Sequence, residues 1–285
     1  MSQTPLLLGA VAYDPKVVTI WDGFQRYFEE RGLRFDYVLY SNYERQVEAL
    51  FHGDIHVAWN SPLAWLQCEA IAKILGRSAK AICMRDSDRD LTSVVVARDD
   101  GSVRTIADLK GRRVAVGAKD SPQATLIPLY FLAQQGLEPR RDFQVVEFDV
   151  LSGKHGDHIG GERDAARALL NGDCDAACMI DANHLLFIQE GTLPAGTTRG
   201  IAQTPPYDHC NFTILDDAPA EIVEPFLDLL FNMSYADPAM RRLLDMEGLK
   251  RWLPGQITGY ELLWEAADYF NSLESFVIQV AARCR

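Results

Sequence analysis

Short apolar runs typical of buried strands alternate with helical patterns through most of the first 205 residues. This β-α-β-α rhythm is the signature of parallel sheets covered by helices, and it excludes all-helical and all-β folds. Strands are predicted at Leu6–Val11, Phe35–Tyr40, Ile55–Trp59, Ala79–Met84, Ser93–Arg98, Val114–Val116, Phe143–Phe148 and Ala176–Ile180. The predicted fold class is therefore α/β.

The rhythm occurs twice, in residues 1–90 and again in residues 105–205, with no low-complexity linker between them. It predicts two α/β lobes joined by strand crossings, with a cleft between the lobes. Lobe one is expected to comprise residues 1–94 and 208–285, and lobe two residues 95–207. The last third is predicted to be mainly helical, with helices at Ala220–Tyr235, Pro238–Leu244 and Gly259–Ala282.

The composition limits the partners of the chain. With 285 residues and 48% hydrophobic residues, two modest lobes can each have a core. A formal charge of −12 leaves no broad basic surface, so we expect no nucleic-acid partner, although a small anion needs only a few local donors. No run reaches the roughly 18 consecutive apolar residues of a membrane span, so we expect no direct membrane insertion.

The cellular location is expected to be cytoplasmic. The N-terminal stretch MSQTPLLLGAVAY has neither a basic region nor a long apolar region, and a strand-like run starts almost at once. The six cysteines lie mostly in core-like contexts, which favours reduced, structural thiols. The alternative is a periplasmic protein whose leader has been removed.

The strand-to-helix turns are the candidate binding positions, because ligands of open α/β sheets lie beyond the carboxyl ends of the strands. One turn carries Asn60 and Ser61, and another runs from Ser121 to Thr125. Ser and Asn before a helix are also ordinary N-caps, so capping is the alternative for each turn alone. A helix N-terminus favours an oxyanion, so the Ser121–Thr125 turn is predicted to hold a small anionic group.

Three stretches in order carry a family resemblance: NYERQVEALFHGDIHVAWNSPLAWL, TIADLKGRRVAVGAKDSPQATLIPLYFL and ALLNGDCDAACMID. They resemble the phosphonate-binding periplasmic proteins of the type II solute-binding fold, over most of residues 6–240. The resemblance implies a two-lobed protein that closes on a phosphonate, a phosphate or a similar small anion. It also implies an ABC transporter permease as a partner.

The resemblance implies site residues as well. It implies an anion cradle formed by Ser121, Gln123, Ala124 and Thr125. It also implies an acidic partner at Asp181 and cleft aromatics at Tyr13 and Tyr43. The chain departs from the family where Pro122 and Gln123 interrupt the consecutive hydroxyls of the cradle. A carboxylate or an amide-bearing ligand would therefore suit the turn as well as a tetrahedral phosphonate.

Histidines raise an alternative, enzymatic function. His155, His158 and Glu162 lie on a glycine-rich loop, and imidazole with carboxylate suits a divalent metal. Their spacing matches no established metal motif, so a solvated loop and a chain without a cofactor are the favoured interpretation. If a metal were bound, the chain would be a metal-dependent decarboxylase or hydrolase on the same fold.

His209 is predicted to contact the ligand, because Tyr207–Cys210 lies where the chain should cross back to the first lobe. The neighbouring Cys210 raises a thiol nucleophile, which needs a nearby base. Adjacent residues of a strand point to opposite faces, so His209 and Cys210 are not expected to form a catalytic dyad with each other. The predicted function is thus capture of a small anionic or polar metabolite for transport or sensing.

Overall fold

A computed structural model describes residues 4–284 of the chain. It divides into two compact units, each built around its own sheet. The first unit contains the described residues up to Arg89, then Asp208–Tyr260, then the described residues from Leu273 onward. The second unit contains Asp90–Tyr207 and Glu261–Ser272.

The first unit is a six-stranded sheet with helices. Its strands are β1 (Leu6–Val11), β2 (Phe35–Tyr40), β3 (Val57–Asn60), β4 (Ala79–Arg85), β10 (Asn211–Leu215) and β11 (Trp252–Pro254), in the order β11-β4-β10-β3-β1-β2. Strand β1 pairs parallel with β2 and β3, whereas β10 pairs antiparallel with β3 and β4. Its helices are α1 (Lys16–Glu29), α2 (Tyr43–His52), α3 (Pro62–Ile74), α7 (Ala220–Phe231), α8 (Pro238–Glu247) and α10 (Glu274–Arg283).

An aromatic cluster fills the core of this unit. Phe212 of β10 lies with its ring centroid 4.6 Å from that of Trp59 and 5.3 Å from that of Phe226. Phe28 of α1 stands 5.2 Å from Phe226 in the same cluster. Each aromatic side chain buries a large apolar area, so this cluster supplies much of the stability that holds α1 and α7 on the sheet.

The second unit is a five-stranded sheet with the order β7-β6-β8-β5-β9. Its strands are β5 (Ser93–Arg98), β6 (Arg113–Val116), β7 (Gln144–Glu147), β8 (Ala176–Ile180) and β9 (Thr198–Gln203), and its helices are α4 (Ile127–Gln134), α5 (Gly160–Asn171), α6 (Asp181–Gln189) and α9 (Glu261–Tyr269). Strand β6 pairs parallel with β7 and β8, and β5 pairs antiparallel with β8 and β9. The carboxyl ends of β6 and β8 therefore meet at one edge of this sheet.

The sheets are mixed and not wholly parallel, which differs from the sequence-based expectation. Strands β9 and β11 lie at sheet edges, and β10 lies between β4 and β3. Of these three strands, only β11 falls in the part of the chain that was predicted to be mainly helical. The predicted helix across Gly259–Ala282 is also broken between α9 and α10. The first of these two helices packs against α4, so Glu261–Ser272 belongs to the second unit, and the unit boundary lies at Arg89 and not at Val94.

Within residues 4–284, no helix is long and apolar enough to cross a membrane.

Candidate ligand-binding site

The turn after β6 opens as a helix of unusual geometry. Ser121 is its N-cap, with Oγ accepting a hydrogen bond from the backbone N–H of Ala124 at 3.2 Å. The next five residues, Pro122–Leu126, form a π-helical turn, in which the N–H of Leu126 reaches back to the carbonyl of Ser121 at 3.0 Å. Turns of this kind are rare and occur frequently at functional sites. Accepting one bond leaves Ser121 its own hydroxyl proton to donate.

Thr125 uses its hydroxyl inside the turn. Its Oγ1 donates to the carbonyl of Ala118 at 2.7 Å, and its side chain is buried. A threonine hydroxyl carries one proton, so Thr125 can donate to a ligand only after that bond is exchanged. The predicted cradle is thus present as a helix start, with Ser121 better placed than Thr125 to donate.

A glycine-rich segment of the same unit, Gly153–Asp157, lies against this turn. The amide of Gln123 donates to the carbonyl of Gly156 at 3.0 Å, and the backbone N–H of Gly153 donates to Asp120 Oδ2 at 2.5 Å. Gly156 has φ +79°, and a Cβ added there would stand 2.2 Å from Ser121 Oγ. Only glycine allows this approach, so the segment is fitted closely to the Ser121 hydroxyl.

Ser93 and Tyr207 flank the turn, although the sequence analysis did not select either as a site residue. The Ser93 hydroxyl donates to the carbonyl of Gln123 at 2.5 Å and lies 2.7 Å from the phenol oxygen of Tyr207. Burial raises the pKa of Tyr207, and the hydrogen bond to Ser93 only partly opposes that shift. The phenol therefore stays protonated at neutral pH. The sequence feature that could have pointed to Ser93 is a serine at the first residue of a predicted strand.

Two carboxylates lie at the carboxyl end of β8. Glu162 is buried, and its Oε2 accepts from the backbone N–H of Ile180 at 3.1 Å and from the amide of Asn183 at 2.9 Å. Asp181, the predicted acidic partner, is half-buried and accepts from the hydroxyl of Thr92 at 2.8 Å. Both carboxylates orient the start of α6, and the contact of Asp181 with a ligand remains a prediction.

The predicted metal trio is not assembled. His158 Nδ1 accepts from the backbone N–H of Gly160 at 3.2 Å, which uses one ring nitrogen inside the loop. His155 is fully buried with φ +49°. Among the described residues, His155, His158 and Glu162 do not form a group whose ligand atoms lie within 4.8 Å of one another. The geometry gives this trio no metal-binding arrangement.

Asn60 of the first unit takes part in a buried network of hydrogen bonds. Its Oδ1 accepts from Gln46 Nε2 at 2.8 Å, and its Nδ2 donates to Thr213 Oγ1 at 2.9 Å. Thr213 in turn donates to Asn211 Oδ1 at 2.7 Å, and Asn211 Nδ2 donates to the phenol of Tyr260 at 2.8 Å. This chain of bonds ties α2 and β3 to β10, and the contact of Asn60 with a ligand remains a prediction.

Three other predicted residues of the first unit lie at or before helix starts. Ser61 is the N-cap of α3 and accepts from the backbone N–H of Ala64 at 3.1 Å. Tyr43 is the first residue of α2 and is buried. Tyr13 is half-buried, with Lys16 Nζ 5.6 Å from the centre of its ring. A ligand contact at these three residues remains a prediction.

His209 and Cys210 contact each other, although the sequence analysis placed their side chains on opposite faces of a strand. His209 Nδ1 lies 3.1 Å from Cys210 Sγ. The expectation assumed strand geometry, but both residues precede β10, which begins at Asn211. Outside a strand, neighbouring side chains are not held on opposite faces.

Comparisons with known proteins agree on the family to which this chain belongs. A family model described as "ABC transporter, phosphonate, periplasmic substrate-binding protein" matches residues 10–260. The probable ABC transporter phosphite binding protein PhnD1 of Prochlorococcus marinus is 23% identical over 248 residues, which are 83% of this chain and 79% of that protein. The phosphate-import protein PhnD of Mycolicibacterium smegmatis is 23% identical over 175 residues, covering 61% of this chain and 53% of its own.

Solved structures agree in fold. PhnD1 of Prochlorococcus marinus in complex with methylphosphonate has a TM-score of 0.70 at 18% identity, covering 93% of this chain and 98% of that one. The periplasmic aliphatic sulphonate binding protein SsuA of Escherichia coli has a TM-score of 0.61 at 17% identity, covering 98% and 97%. These likenesses confirm the predicted α/β fold of type II periplasmic binding proteins in two lobes.

Proposed function

Because this chain belongs to the family of periplasmic substrate-binding proteins of phosphonate ABC transporters, we propose that it captures a small tetrahedral oxyanion of phosphorus, of the methylphosphonate class. The chain is a solute-binding protein, and the proposal concerns its ligand and binding residues. The comparisons give no support to the enzyme alternative. The proposal rests on one observation: the buried Ser121 hydroxyl at the start of a helical turn beyond the carboxyl end of β6.

Three features of the turn favour an oxyanion. The positive end of the helix macrodipole faces the position that Ser121 occupies. The Ser121 hydroxyl retains a proton to donate, and charge-assisted hydrogen bonds to an anion are roughly twice as strong as neutral ones. The neighbouring Ser93–Tyr207 pair keeps the carbonyl of Gln123 engaged, which fixes the backbone of the turn.

The names of the relatives narrow the ligand class. One curated relative is named for phosphite and another for phosphate import, and one similar structure holds methylphosphonate. Phosphite, phosphate and methylphosphonate share a tetrahedral phosphorus centre with at least three charged or hydrogen-bonding oxygens. We therefore extend this shared chemistry to the present chain.

We further propose that the chain delivers its ligand to an ABC permease and works in the periplasm, as its family does. The expectation of a cytoplasmic location rested partly on unpaired cysteines. All six cysteines are free, and five are buried. Burial raises the pKa of Cys68 and of Cys178 to about 12, so these thiols stay protonated and react slowly with oxidants. Free thiols of this kind are compatible with an oxidising compartment.

Thermal unfolding with a panel of anions tests the ligand. Methylphosphonate, phosphite and phosphate are compared with methanesulfonate and acetate on untagged protein. A specific ligand at 100 times its Kd stabilises the folded state by about 2.7 kcal/mol, a rise in Tm of roughly 5–10 °C. Only the phosphorus oxyanions are expected to give it.

A matched pair of variants locates the binding residue. Ser121→Ala removes both the hydroxyl donor and the helix cap, whereas Asn42→Ala removes only the cap of α2, whose Oδ1 accepts from the N–H of Arg45 at 2.9 Å. Each lost cap costs about 1 kcal/mol of stability. The ligand-induced shift should disappear in Ser121→Ala and persist in Asn42→Ala. A shift that persists in both variants places the ligand elsewhere.

A further inference from the structure

A cluster of chemically active groups in the first unit contains no residue of Ser121–Leu126, which we call the oxyanion turn. Asp88, His209 and Cys210 are the one trio of His, Cys, Asp or Glu residues in the described chain whose ligand atoms all lie within 4.8 Å of one another. His209 Nδ1 stands 3.1 Å from Cys210 Sγ and 3.5 Å from Asp88 Oδ1. None of the three belongs to the turn Ser121–Leu126, and the contact of His209 with a ligand remains a prediction.

The backbone holds this trio in place. Asp88 ends the short 3-10 helix Asp86–Asp88 that follows β4, and Cys210 immediately precedes β10, the antiparallel partner of β4. The backbone N–H of His209 donates to the carbonyl of Asp88 at 2.8 Å, which fixes the two segments against each other. The arrangement is therefore set by the fold and not by flexible side chains alone.

A thiolate sulfur, an imidazole nitrogen and a carboxylate oxygen together form a donor set that zinc prefers. Zinc bonds of about 2.0–2.3 Å in a tetrahedron separate neighbouring ligand atoms by roughly 3.3–3.7 Å. The two observed separations, 3.1 Å and 3.5 Å, lie close to this range. Only small side-chain movements would bring the three atoms onto one ion, with a fourth position left for water.

Arg85 prepares the carboxylate for this role. Its Nε and Nη2 donate to the two oxygens of Asp88 at 2.6 Å and 2.8 Å, and its Nη1 lies 3.3 Å from Glu247 Oε1. A carboxylate has about four lone-pair positions, so the Asp88 oxygen that faces His209 can still accept another partner. Partners of this kind orient metal ligands in many sites.

Two carboxylates surround the guanidinium of Arg85. Asp88 and Glu247 are both buried, and both pair with Arg85. Binding of Zn²⁺ would displace the proton of Cys210, because the thiolate is the form of cysteine that binds metals. His209, with 8% of its surface exposed, is the most accessible of the three ligands and marks the side from which an ion would enter.

We propose that Asp88, His209 and Cys210 form a binding site for Zn²⁺ that includes no residue of the oxyanion turn.

Titration of untagged, metal-free protein with Co²⁺ tests this site, because Co²⁺ replaces Zn²⁺ and has visible absorption. One Co²⁺ per chain is expected, with a near-ultraviolet thiolate-to-cobalt band and the strong visible bands of a tetrahedral site. Added Zn²⁺ should abolish these bands by displacement. A titration that shows no thiolate band would overturn the proposal.

Variants assign the ligands. Cys210→Ser and Cys210→Ala should lose the thiolate band, and His209→Ala should weaken Co²⁺ binding at least tenfold. Cys284→Ser is the matched control, because Cys284 is the most exposed cysteine and the natural target of adventitious binding. It should leave the spectrum unchanged. A band that survives both Cys210 variants, or that disappears in Cys284→Ser, contradicts the site. Circular dichroism of each variant confirms that it is folded.

Discussion

Replacing Gly156 by alanine tests how closely the glycine-rich segment fits the oxyanion turn. The new Cβ would lie 2.2 Å from Ser121 Oγ and 2.7 Å from Gln123 Nε2, about 1 Å inside normal contact distances. Overpacking of this kind costs roughly 1–3 kcal/mol. The positive φ of Gly156, +79°, adds about 1 kcal/mol for any L-residue after the gain from a stiffer unfolded chain. The free energy of unfolding should fall by about 2–4 kcal/mol.

Gly172 provides a matched control in the same unit. Its φ of +81° is nearly identical, but nothing lies within 4 Å of an added Cβ. Gly172→Ala therefore carries the backbone cost alone, about 1 kcal/mol. The difference of roughly 1–3 kcal/mol between the two variants isolates the steric contact with the turn.

Urea unfolding followed by circular dichroism measures both free energies, and calorimetric titration measures methylphosphonate binding. Because the added methyl group displaces the Ser121 hydroxyl, Gly156→Ala should weaken binding at least tenfold, whereas Gly172→Ala should bind as the parent does. Equal stability and equal affinity in the two variants would refute the close fit of the segment against Ser121.

Two further predictions concern the network of Asn60 and the cellular location. Asn60→Ala removes two strong buried hydrogen bonds and should lower the free energy of unfolding by about 2–3 kcal/mol in urea titrations, with methylphosphonate affinity unchanged. A variant that is stable but does not bind would identify Asn60 as a ligand residue. Fusion of the natural gene to alkaline phosphatase should give active enzyme, since that enzyme is active in the periplasm. An inactive but well-expressed fusion would favour the cytoplasm.

The sequence predicted most of the fold because buried strands leave strong patterns. The bounds of β1, β2, β5 and β8 agree with the structure to the residue, since each is a mainly apolar run. Strand β11 has only three residues, Trp252–Pro254, too few for any periodicity to show. The mixed direction of the sheets could not be predicted either, because strand direction depends on pairings between distant segments such as β4 and β10.

The candidate site was predicted only in part. Ser121 was identified as the start of a helix, and the structure confirms it as an N-cap. The close approach of Gly156 to Ser121 was not predictable, since it depends on how two distant segments of the chain pack against each other. The contact of His209 with Cys210 was missed for a local reason, because strand geometry was assigned two residues too early.

Calorimetric titration of methylphosphonate into untagged wild-type protein and into Ser121→Ala measures whether the chain binds a phosphorus oxyanion and whether Ser121 contacts it. We expect saturable binding of one ligand per chain to the wild type, and at least a tenfold loss of affinity in Ser121→Ala when that variant remains folded. Phosphite and phosphate should compete for the same site. Wild-type protein that is folded but binds none of the three anions would contradict the proposed ligand class. A Ser121→Ala variant that binds as tightly as the parent would contradict the proposed binding residue.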